Sequence, residues 1–88
     1  MAGNGEKVFA GMPDVVQSIS KSLIAMRSCQ VAVPCSLLAD LPPKVVAERR
    51  IIKVVSEQSA VSQVCSNDIQ LCFVAADMAR EHGLEILS

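Results

Sequence analysis

The stretch 67–83, Asn-Asp-Ile-Gln-Leu-Cys-Phe-Val-Ala-Ala-Asp-Met-Ala-Arg-Glu-His-Gly, constrains the chain more than any other. Asn67 is a good N-cap, and Gln70 stands at the third helical position, from which a capping box reaches back. Asp68 suits the positive end of a helix dipole. At the other end, Gly83 falls where a left-handed C′ residue closes a helix, with Leu84 placed to pack back on the last turn. The spacing between these ends predicts one helix over 67–83. Ile69, Cys72, Phe73, Ala76 and Ala79 share one face, and Leu71, Ala75 and Met78 share a second. Only Gln70, Asp77 and Glu81 draw a polar line. A helix apolar on two sides must be covered on both, either by the rest of the chain or by another chain.

Composition sharpens that choice. At 88 residues the chain is one domain, close to the size at which a single core barely suffices. It is 51% hydrophobic with two Phe and no Trp or Tyr, so the core is aliphatic. Surplus apolar surface on so short a chain points to a homo-oligomer. Eight basic and nine acidic residues leave a net charge of −1, which gives no electrostatic footprint for nucleic acid or an anionic membrane. The longest uncharged run, 28–39, is too short to span a bilayer and contains Pro34. The first residues lack the basic and apolar regions of a secretory signal, so the expected setting is cytoplasmic and reducing. There Cys29, Cys35, Cys65 and Cys72 are expected as thiols, buried as small hydrophobes, rather than as a disulfide framework.

Taken in order, residues 1–11 read as a flexible lead-in and 12–88 as a single helical domain. Phe9, in the lead-in, either anchors a tail or partner or covers a gap in the core. Pro13 opens a helix as its first residue, with Val16, Ile19, Leu23 and Met26 as its stripe, ending near Cys29 or Gln30. The residues before Pro34 are extended, and a short helical turn through Leu37, Leu38 and Leu41 follows. Pro42 and Pro43 make a stiff corner. A helix is expected over 44–58, then a short piece reaching Cys65, although the β-branched residues at 51–55 favour a strand by propensity. The resulting expectation is all-α: a small bundle-like domain of three main helices plus short helical pieces. The alternative is α/β or α+β, with short strands near 51–55, 70–75 and 84–87. Under that alternative, Leu71-Cys72-Phe73-Val74-Ala75-Ala76-Asp77 resembles the core strand of a ribosomal and growth-arrest protein family, whose following helix would be nearly absent here.

No arrangement for catalysis stands out. The cysteines are separated by five residues (Cys29 to Cys35) and six (Cys65 to Cys72), not the close pairs of structural zinc sites, and no metal or cofactor is expected. His82, the lone histidine, sits in the last turn of the expected helix, where its charged form favours the helix end. There is no phosphate loop, nucleophile elbow or EF-hand, so no catalytic residue is named. The expected function is a protein–protein interaction or adaptor module, self-associating through Leu71, Ala75 and Met78, with Ile52 and Val55 as further contact candidates. The alternative is a helix-turn-helix-like DNA-binding regulator using the 35–55 region, with Lys44, Arg49, Arg50 and Lys53 facing the duplex.

Overall fold

The stretch 67–83 is not one helix. In a computed structural model, which describes residues 6–87, it divides into a turn, the strand Leu71–Ala75 and the helix Ala76–Glu81. Asn67 starts nothing; it ends the preceding helix. Its φ is +64°, its N–H donates to the Val64 carbonyl at 3.0 Å, and the Asp68 N–H donates to the Gln63 carbonyl at 3.0 Å. These bonds form a Schellman motif with Asn67 at the left-handed C′ position, a place Asn tolerates as it tolerates an N-cap. Gly83 does occupy the C′ position expected of it, with φ +71°, and the Leu84 N–H donates to the Ala79 carbonyl at 2.9 Å. Leu84 is buried against Ala79 in the same core cluster.

The full order is β1 (Lys7–Gly11), α1 (Pro13–Ser20), α2 (Leu23–Ser28), β2 (Gln30–Pro34), a 3-10 helix (Cys35–Asp40), α3 (Pro43–Glu48), β3 (Arg50–Val54), α4 (Glu57–Cys65), β4 (Leu71–Ala75), α5 (Ala76–Glu81) and β5 (Glu85–Ile86). The strands form one sheet in the order β3-β2-β4-β1-β5. β2 is parallel to β3 and β4, whereas β1 is antiparallel to both β4 and β5. This α/β architecture overturns the all-α, bundle-like expectation. Strands lie where the α/β alternative put them, at 50–54, 71–75 and 85–86. The expected helix over 44–58 is three elements, because the β-branched run 51–55 follows its propensity once a neighbour supplies the ladder.

Residues 7–11 are not a lead-in but an inner strand. Phe9 faces Phe73 and Val8 faces Val74 across the β1–β4 pair. Residues 1–5 of the expected lead-in, and Ser88, lie outside the described residues. Gly11 is needed at the end of β1. A Cβ there would stand 2.5 Å from the Gln70 carbonyl oxygen, a backbone atom that cannot move aside cheaply. The first expected helix also divides: the Ser22 hydroxyl accepts from the Ala25 N–H at 3.2 Å and starts α2 afresh.

Two cores result, one on each face of the sheet. One gathers Ala32, Val54, Ala60, Val61, Val64, Cys72, Val74 and Ala79, with α4 and α5 as its cover. The other gathers Val16, Ile19, Val31, Val33, Leu37, Leu41, Leu71 and Phe73, with α1 and the 3-10 helix as its cover. The alternation along β4 supplies both, Leu71 and Phe73 to one side and Cys72 and Val74 to the other.

Candidate functional site

The connections set where a ligand would meet this sheet. From β2 the chain steps outward to β3, returns past β2 to β4, and continues beyond β1 to β5. Successive crossovers therefore leave in opposite directions from between β2 and β4, and open α/β sheets bind ligands outside the carboxyl ends of the strands at such a point. The β2–β4 ladder covers only Val31–Leu71 and Ala32–Cys72. Pro34 has no N–H to extend it. At the freed end of β4, the Ala75 N–H donates to Glu57 Oε1 at 3.0 Å.

A cavity of about 480 Å³ opens beside this edge, lined by Lys7, Phe9, Asp40, Pro42 and Phe73. Lys7 and Phe9 alternate onto the same face of β1, and Phe73 lies opposite Phe9 on β4. The two rings are 4.8 Å apart between centroids and tilted by 40°, within the separation at which aromatic pairs attract. Asp40 ends the 3-10 helix, and Pro42 opens the corner behind it. Phe9 is held by a cation as well: the Arg49 guanidinium carbon lies 5.4 Å from the Phe9 centroid, and Arg49 Nε donates to the Met26 carbonyl at 3.0 Å. The cavity thus has an aromatic floor braced by a cation, with a cationic and an anionic side chain in its lining. Its size is that of ordinary small-molecule pockets.

No family model and no curated protein matches this chain. Among solved structures, it is similar to the ancestral amino acid-binding protein AncCDT-1, a precursor of cyclohexadienyl dehydratase, with a TM-score of 0.71 at 14% identity. What the two share is the fold. The match covers 94% of this chain and 39% of that one, so the chain spans well under half of its neighbour's length.

The sequence-derived contact residues do not share a surface. Leu71 is 0% exposed at the centre of the sheet. Ala75 ends β4, and Met78 packs against the opposite core. Ile52 is half-buried on β3, and only Val55, 87% exposed, projects from the body. The basic candidates are divided too: Lys44 is on α3, Arg49 caps it, and Arg50 and Lys53 lie on β3. They do not share the recognition helix expected of them. Of the cavity lining, Phe9 and Phe73 were conspicuous as the sole aromatics, whereas Lys7, Asp40 and Pro42 carry no local signal. Among the described residues, no three of His, Cys, Asp and Glu cluster closely enough to hold a metal ion. His82 is the C-cap residue of α5, its Nδ1 3.0 Å from the Met78 carbonyl. No helix among the described residues is long and apolar enough to cross a membrane.

The thiols separate by burial. Cys35 and Cys65 are exposed, and Cys29 and Cys72 are buried. Burial pushes the Cys29 thiol up, against the pull of Arg49. Burial, with the nearby Cys65 and Glu57 charges, pushes the Cys72 thiol up to about 12 from 9.0. Two thiols of the folded chain are therefore expected to react quickly with Ellman's reagent and two only after unfolding. The Cys72 shift also has a stability consequence. Between these two values the fold holds a proton that the unfolded chain releases, so the contribution is complete below pH 9.0 and is lost as pH rises through 12. The loss across that window is on the order of 4 kcal/mol. Urea unfolding of Cys72→Ala should show a flatter alkaline decline than the parent.

Proposed function

We propose that this chain is a small-molecule-binding lobe that takes an amphoteric ligand with an apolar body, an amino acid or close analogue, at the carboxyl edge of its sheet. The observation carrying this reading is the cavity in which Lys7 and Asp40 accompany the Phe9–Phe73 floor. A carboxylate is drawn to Lys7, an ammonium to Asp40, and a side chain rests on the rings. The position beside the β2–β4 switch supports it, as does the fold shared with a protein described as amino acid-binding. Four free thiols fit a reducing, cytoplasmic setting.

The test is an amide NMR titration with L-phenylalanine, its N-acetyl form and its amide. Saturable shifts are expected at residues 7–9, 40–41 and 73. Each end-blocked form, and each of Lys7→Gln and Asp40→Asn with the parent ligand, should bind about tenfold more weakly. Equal binding of all three compounds, or shifts elsewhere, would remove the reading.

Self-association is a second reading, favoured by Val55, whose side chain is 87% exposed just beyond the carboxyl end of β3. A second copy meeting that edge would cover it. Sedimentation of the reduced chain with and without ligand separates this from a lone lobe. No placement of the basic residues favours the DNA-binding alternative.

A further inference from the structure

A smaller cavity of about 190 Å³ is lined by Leu23, Met26, Arg27, Glu48 and Arg49. Arg49 is half-buried and spends one donor, Nε, on the Met26 carbonyl. Its terminal nitrogens meet no acceptor among the described residues, and the Arg27 side chain makes no hydrogen bond among them. Glu48 forms an ion pair with neither arginine although it lines the same cavity. Two guanidinium groups against one carboxylate leave the lining net positive. A partly desolvated guanidinium with free forked donors is matched by the paired oxygens of an oxyanion.

The apolar half of the cavity narrows the class. α2 buries none of its residues, and Leu23 and Ile24 are 79% and 81% exposed. Of these, Leu23 lines the cavity with Met26 and gives it an apolar side beside the two arginines. We propose that this cavity binds an aliphatic carboxylate, its oxygens accepting from Arg49 and Arg27 and its chain lying along Leu23 and Met26. The site adjoins the larger cavity, because the Arg49 guanidinium also lies over the Phe9 ring, but the two cavities share no lining residue.

Sodium octanoate, with acetate and octanol as controls, is the probe for an amide NMR titration of the full chain. Octanoate is expected to give saturable shifts at residues 23–27 and 48–49, with each control at least about tenfold weaker. Arg27→Gln and Arg49→Gln should each weaken octanoate about tenfold. Arg27 is exposed and makes no contact that the fold needs, so its variant carries the test even if Arg49→Gln proves unstable. Octanol binding as tightly as octanoate, unchanged affinity in Arg27→Gln, or shifts confined to Phe9 and Phe73 would each overturn the proposal.

Discussion

Leu71→Glu should leave no folded protein. Leu71 is fully buried at the start of β4, the strand between β2 and β1, and belongs to the core under α1 and the 3-10 helix. Truncating such a leucine to alanine alone costs about 2–5 kcal/mol. Glutamate adds the desolvation of a carboxylate with no cation beside it, several kcal/mol more in proteins. The sum matches or exceeds the roughly 5–15 kcal/mol by which a small domain is stable. Amide NMR dispersion should collapse at every pH where the carboxyl is ionised. A dispersed spectrum from a smaller particle would instead mean that Leu71 faces a partner and that the sheet is misassigned.

Phe73→Ala carries the second large effect, and it strikes stability and binding together. The ring is nearly buried, stacks on Phe9 and forms half the cavity floor. Its loss should cost about 3–5 kcal/mol in urea unfolding. It should also abolish the L-phenylalanine shifts at temperatures where the variant remains folded. Phe73→Leu restores most of the volume without the aromatic face, so it should recover most of the stability and little of the affinity. Equal affinity in Phe73→Leu would show that the floor acts by volume alone.

The error over 67–83 has a definite physical cause. A helix apolar on two sides and a strand buried on both faces produce the same uninterrupted run, here Leu71-Cys72-Phe73-Val74-Ala75. Periodicity could not separate them, since a doubly covered strand shows no alternation. Asn67 added to the confusion, because the same residue type serves an N-cap and a left-handed C′. At 51–55 the strand propensity of the β-branched run prevails over its helical spacing. The punctuation was more dependable: Pro13 and Pro43 begin helices, the 3-10 helix follows Pro34, and Gly83 closes α5. What no local pattern disclosed was long-range pairing. Residues 7–11 became a strand only by insertion between β4 and β5, from distant parts of the chain. The cavity inherited that blindness, for Lys7, Asp40 and Phe73 meet only once β1 has entered the sheet.

The stacked phenylalanines also make this molecule its own optical probe. With neither indole nor phenol anywhere in the sequence, all near-ultraviolet ellipticity originates from Phe9 and Phe73. Both chromophores stand in one wall, in van der Waals range of each other and one of them under a guanidinium. Their fine-structured bands therefore report on a single locality, with no background from elsewhere, and an unlabelled sample suffices to watch that wall change.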